Sequence, residues 1–149
     1  MVDAQYPVPI SKLLELVPHR DSAIWIDEVT KLTENGGEAR VYVKDATYMT
    51  DTSVRPTSYI EFMAQSYAYV SACHLLYMPH PFQKKISEAF LVGIRDLEIL
   101  DSKPIKSGEV IKISVERSHE LGDLVLIDGE LFSSEDKKIA KGQLKLFAR

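Results

Sequence analysis

The chain has 149 residues, 45% hydrophobic and 27% charged, enough for one domain with a core of its own. Eighteen Lys and Arg stand against 22 Asp and Glu, a formal net charge of −4, which leaves no basic field to hold nucleic-acid phosphates. The single cysteine, Cys73, excludes an intramolecular disulfide and a thiolate metal cluster, and no apolar run reaches the roughly 18 residues of a membrane span.

The first residues, MVDAQYPVPI, lack the basic and apolar regions of a secretory signal, so a cytoplasmic location is expected. SKLLELV follows, with Ser11 placed to cap a short helix and Pro18 to stop it. Ile24, Trp25, Ile26 and Val29 predict a strand. Asn35-Gly36-Gly37 supplies residues tolerant of positive φ, and EARVYV, with Ala39, Val41 and Val43 alternating, predicts the second arm of a hairpin. Residues 44–55 read as a polar connection without periodicity.

Residues 56–76, PTSYIEFMAQSYAYVSACHLL, are apolar or small nearly all round, which predicts a buried helix. Glu61 sits near its start, with Gln65 one turn on along the same face. A carboxyl there is costly unless it is paired or working. Met78-Pro79-His80-Pro81 ends the helix. Three or four strands follow as a meander: AFLVGIRDLEIL, VIKISVERSHE, LVLIDGELFSS and IAKGQLKLFAR. Alternation in residues 110–115 and 143–147 marks half-buried antiparallel strands. Turns are expected at Lys106-Ser107-Gly108, Leu121-Gly122-Asp123 and Ser134-Glu135-Asp136. One helix, apolar all round, among antiparallel strands predicts an α+β single domain over residues 1–149, a curved sheet wrapped round the helix with a second subunit covering the rest. That is the hotdog architecture.

Three segments resemble one family, the hotdog 3-hydroxyacyl-[acyl-carrier-protein] dehydratases. LVPHRDSAIWIDEV is similar to their Pro-His segment, apolar strand and Asp, and YIEFMAQSYA to their Glu-x-Met-Ala-Gln helix. FLVGIRDLEILDSKPIKSGEVIKISVE is similar to their Gly-Ile strand, basic-Pro turn and Gly-acid turn. The family's Gly-His-Phe-Pro-Gly turn, whose His is the base, is missing. Counting back from Glu61, that His falls at about Thr47, and Pro56 stands where the helix usually starts with Gly. These departures resemble the divergent dehydratase-like branch encoded with aryl-polyene and polyketide or fatty-acid clusters.

The resemblance implies dehydration of a 3-hydroxyacyl thioester, which needs a base, an acid and fixed dipoles at the thioester oxygen. Glu61 is the candidate acid, its pKa expected to rise on burial; the alternative is a structural ion pair with an Arg. Of His19, His74, His80 and His119, His19 is the candidate base, with a structural hydrogen-bonding role as its alternative. His74 reads as a core or interface residue, and His80 and His119 as surface. Free N–H groups of Thr57 and Ser58 at the helix start are expected to face the substrate. Gln65 orients Glu61. Arg20, Arg55 and Arg95 are candidate contacts for the carrier protein or its phosphopantetheine phosphate, with solvated surface arginines as the alternative. Tyr59, Tyr48, Tyr67 and Phe62 either fill the core or line an acyl tunnel. The implied partners are an acyl carrier protein and a hotdog homodimer or heterodimer mate. No cofactor is implied beyond the phosphopantetheine that carries the substrate. A non-catalytic hotdog subunit supporting an active dehydratase and an acyl thioesterase are the alternative functions.

Overall fold

The helix α1, Ser58–Tyr77, lies across an antiparallel sheet that has given up side chains to let it approach. A computed structural model describes residues 4–17, 24–78 and 89–149. The strands are β1 Val8–Pro9, β2 Glu28–Leu32, β3 Gly36–Tyr42, β4 Met49–Thr50, β5 Ser53–Val54, β6 Ala89–Ile99, β7 Val110–Leu121, β8 Leu124–Phe132 and β9 Lys138–Ala148. Seven of them form one sheet in the order β1-β2-β3-β7-β8-β9-β6, and β4-β5 is a separate small hairpin. β7, β8 and β9 run as the expected meander, but β6 crosses to the far edge and pairs with β9 instead of β7. This is the hotdog arrangement of an α+β domain, as the residue pattern predicts. Among the described residues no helix is long and apolar enough to cross a membrane.

The inward faces follow from alternation. Ala39, Val41, Ile111, Ile113, Val115, Ile127, Leu131, Leu144 and Leu146 are buried on the strands, and Phe62, Met63, Tyr69 and Val70 meet them from the helix. Burying each large side chain of this set contributes about 1.5–3 kcal/mol. Gly129 on β8 marks the closest approach: a Cβ there would meet Met63 Sδ at 2.7 Å. Asp128 and Glu130 therefore point to the opposite face of the sheet.

Local expectations hold unevenly. SKLLELV forms two short 3₁₀ turns, Ile10–Lys12 and Leu14–Leu16, entered from Pro9 without a side-chain cap, so Ser11 does not cap a helix. Residues 24–27 are not part of a strand; pairing begins at Glu28. The β2–β3 hairpin forms, yet Gly36 does not take positive φ, which the glycines 108 and 122 do. Gly36 is needed for proximity instead, because a Cβ there would lie 1.9 Å from the Val115 carbonyl oxygen. Within 44–55, Tyr48 is fully buried and β4-β5 forms around Asp51, at φ 54°. That run of small polar residues gave no periodicity because a two-residue strand has none to show.

Candidate active site

The start of α1 is built by a loop that folds back on it. Tyr48 is the pin: its carbonyl accepts the Arg55 N–H at 2.9 Å and the Ser58 hydroxyl at 3.4 Å, and its own hydroxyl accepts the Lys44 N–H at 3.0 Å. Burial pushes the Tyr48 phenol above its ordinary range. Its ring joins Trp25 and Phe62 in an edge-on cluster, with centroids 5.4 Å (Trp25–Tyr48), 5.5 Å (Trp25–Phe62) and 5.2 Å (Tyr48–Phe62) apart. Such pairs add about 0.5–1.5 kcal/mol each beyond their burial, and here they tie three chain segments into one wall.

On this wall stands the carboxyl. Glu61 is half-buried and accepts a hydrogen bond from Gln65 Nε2 at 2.9 Å, across one helical turn. Gln65 is itself 1% exposed, and its Oε1 accepts the main-chain N–H of Trp25 at 2.9 Å. The Trp25 indole N–H donates to Thr47 Oγ1 at 2.9 Å. Thr47, where the dehydratase base is counted to fall, is thus an exposed threonine held by Trp25.

The other expected residues separate. Thr57 is exposed, and its N–H has no partner among the described residues. Ser58 does not offer a free N–H: its amide donates to Arg55 O at 2.9 Å, because the chain enters the helix through a tight turn. Tyr59 is buried, and burial followed by the charge of Asp101 pushes its phenol up. Arg55 is exposed and donates to the Thr47 carbonyl. Arg95 is exposed and paired with Asp96 at 3.3 Å. His19, Arg20 and His80 lie outside the described residues. His119 is exposed. His74 is buried and donates from Nε2 to the Gly36 carbonyl at 2.9 Å, the satisfied core histidine expected of it. Cys73 is buried among apolar neighbours, and desolvation pushes its thiol up to about 11.

Trp25 is the site residue that periodicity missed. It reads as part of a strand, while its contribution is a main-chain N–H, which no side-chain pattern reports. The signal available was position: an indole within the Pro-His segment, close in sequence to His19.

A depression of about 640 Å³ lies elsewhere, on the sheet face turned from the helix. Its charges are paired with one another, Lys141 with Glu98 at 3.7 Å and Arg95 with Asp96, which makes it a solvated polar face. The edge beside it is different. Among the described residues β6 has no sheet neighbour on its outer side, and Phe90, Leu91, Val92 and Ile94 on it are 41–56% exposed.

Comparisons with known proteins agree with this architecture. The chain is similar to a protein of the dehydratase heterocomplex ApeI:P from Xenorhabdus doucetiae, at TM-score 0.79 and 16% identity over 98% of this chain and 93% of that one. It is also similar to the PaaI protein of the E. coli phenylacetic acid degradation operon, at TM-score 0.59 and 16% identity over 83% and 79%. A hypothetical thioesterase with coenzyme A from Streptococcus pneumoniae TIGR4 matches at TM-score 0.59 and 13% identity over 82% and 84%. No curated protein matches the chain. The model of the ApeP-like dehydratases, described as ApeP dehydratase, matches residues 11–149. With the Glu-x-Met-Ala-Gln helix seated as above, the chain belongs to the ApeP-like dehydratase family.

Proposed function

We propose that this chain takes part in dehydrating 3-hydroxyacyl thioesters carried on an acyl carrier protein to 2-enoyl thioesters, with Glu61 as the acid and His19 as the base. One observation carries the reading: a half-buried carboxyl at the start of α1, hydrogen-bonded by Gln65 and one helical turn on from the exposed Thr57. The base takes the C2 proton, its electron pair forms the C2–C3 double bond, the C3–O bond breaks, and the hydroxyl leaves as water with the Glu61 proton. The Thr57 N–H and the positive end of the helix favour charge developing on the thioester oxygen. Arg55, with Arg20, meets the carrier protein or its phosphopantetheine phosphate, and Tyr59 lies behind the acyl site. The reaction needs no cofactor beyond that carried thiol.

The partner in this reading is a second hotdog chain seated on β6. An 11-residue edge strand with exposed apolar side chains is a surface that native proteins cover. The likeness to a heterocomplex favours a distinct mate; a second copy is the alternative. Val92→Lys with Ile94→Lys is expected to abolish co-purification with the mate, and unchanged association would remove β6 from the interface.

Thr47 favours a second reading, a non-catalytic subunit supporting an active dehydratase, since no imidazole stands at that position. Product analysis separates the possibilities. Incubating the chain and its mate with a 3-hydroxyacyl carrier protein is expected to yield the 2-enoyl thioester. Release of free acid would instead mark a thioesterase. Elimination that survives loss of both His19 and Glu61 would mark the supporting subunit.

A further inference from the structure

Thr47 is exposed and lies in a turn, where side chains are ordinarily loose. This one is held from three sides. The turn closes with the Met49 N–H on the Ala46 carbonyl at 2.9 Å. The Thr47 carbonyl accepts from the Arg55 guanidinium, and its Oγ1 accepts the Trp25 indole N–H at 2.9 Å. An indole N–H only donates, so the hydroxyl's own proton is turned away from Trp25. Among the described residues no acceptor receives that proton. The neighbouring Tyr48 sets where it stands: the Tyr48 carbonyl accepts the Arg55 N–H and the Ser58 hydroxyl, which puts Thr47 beside the start of α1. Trp25 spans the rest of the wall, from its main-chain N–H on Gln65 to its indole on Thr47.

We propose that Thr47, positioned by Trp25, donates its hydroxyl proton to the amide carbonyl that follows the thioester sulfur in the pantetheine arm. The inference rests on the reading of this chain as acting on carried acyl thioesters. Beyond C3 the acyl chain offers hydrocarbon, so a fixed donor outside the reacting atoms has its acceptor on the other side of the sulfur. There the arm runs through two methylenes to an amide, whose carbonyl only accepts. That stretch has the scale of the one side chain by which Trp25 reaches from Gln65 to Thr47. A hydroxyl that already receives an N–H is the stronger donor, because consecutive hydrogen bonds polarise one another. Holding it in place before the substrate arrives lowers the ordering cost of binding. Thr47 thus binds substrate, Trp25 positions Thr47, and neither moves a proton in the elimination.

Trp25 is the only tryptophan of the chain, so one indole signal in a ¹⁵N spectrum of the labelled chain with its unlabelled hotdog mate reports on Thr47. Butanoyl-N-acetylcysteamine carries the amide and no hydroxyl to eliminate; its S-ethyl counterpart lacks the amide. The indole signal is expected to shift and saturate with the first, and to need about 5-fold more of the second, the worth of one hydrogen bond. Kinetics use the 3-hydroxybutanoyl forms of the same two thiols. Thr47→Val should lower the ratio of their kcat/KM values, amide-bearing over amide-less, about 5-fold. Thr47→Ser, which restores the hydroxyl, should return it, and Trp25→Phe should lower it in the same direction. A loss of folding alone would depress both substrates and leave the ratio where it was. A ratio that holds in Thr47→Val, or an indole signal that treats the two thioesters alike, overturns the proposal. Wild type without 2-enoyl product fails the dehydration reading instead, and the indole titration then decides the Thr47 donor by itself.

Discussion

The two halves of α1 each carry a side chain able to trade protons, and they accommodate it in opposite ways. In the C-terminal half, His74 is buried and donates to the Gly36 carbonyl, in a pocket of about 20 Å³ that also includes Tyr67, Ser71 and Arg117. Burial pushes the Tyr67 phenol up, against the pull of its bonds to Ser71 and Arg117. In the N-terminal half, Glu61 stays half-buried, and its partner Gln65 is oriented by a donor from outside the helix. The first group closes a junction between the helix and the β2–β3 hairpin. The second is held in shape but still reachable. Separated by 13 residues, or about 20 Å along the axis, they show that one buried helix can close off one polar side chain entirely and leave another half-buried.

Breaking the closed half should cost stability and not chemistry. Gly36→Ala is expected to have the largest effect, because its Cβ would lie 1.9 Å from a main-chain oxygen of β7 that cannot turn aside. Strands β3 and β7 must then separate, and the urea midpoint should report a loss of about 3 kcal/mol, the upper end for overpacking. His74→Leu comes next. It removes one of two donors from the Gly36 carbonyl, which keeps the Thr33 N–H at 2.9 Å, so the loss is expected near about 1 kcal/mol, with elimination per folded molecule retained. A His74 variant that folds as stably as wild type but loses turnover would reverse the roles of the two halves.

The smallest expected effect belongs to Cys73, beside His74. Its folded thiol is pushed up to about 11 from an ordinary 9.0, so the unfolded chain gives up this proton first. The stability due to the neutral thiol is therefore complete below pH 9 and declines from there until pH passes about 11. Cys73→Ala should flatten that part of the alkaline stability profile, with the phenols of Tyr48, Tyr59 and Tyr67, also pushed up by burial, supplying the slope that remains. An unchanged profile would place the alkaline loss on the tyrosines alone.

The closed half was the more legible in the sequence. An all-round apolar helix, alternating strands and turn residues at Gly108 and Gly122 have local signatures, and these elements formed where they were expected, whereas the strand read at Ile24–Ile26, which lacks alternation, did not. The position of β6 at the far edge had no such signature, because strand order is set by long-range pairing that a run of apolar residues does not encode. Gly36 was legible as a glycine but not in its purpose: proximity to Val115 is a tertiary fact, whereas a turn is a local one. At the site, Glu61 and Gln65 could be paired by counting one helical turn. The bound state of the Ser58 amide could not, because entry through a tight turn depends on where Arg55 and Pro56 sit. Trp25 escaped for a related reason, since its decisive group is a main-chain donor.

The most direct measurement is turnover of a 3-hydroxyacyl carrier protein by the chain with its hotdog mate, comparing wild type with Glu61→Gln and recording the thermal midpoint of each. Gln keeps the shape and can still accept from Gln65, but it carries no acidic proton. With Glu61 as the acid, 2-enoyl formation is expected to fall about 10²–10⁴-fold, the usual contribution of an acid–base group, while the midpoint stays near that of wild type. Full turnover in Glu61→Gln would contradict it.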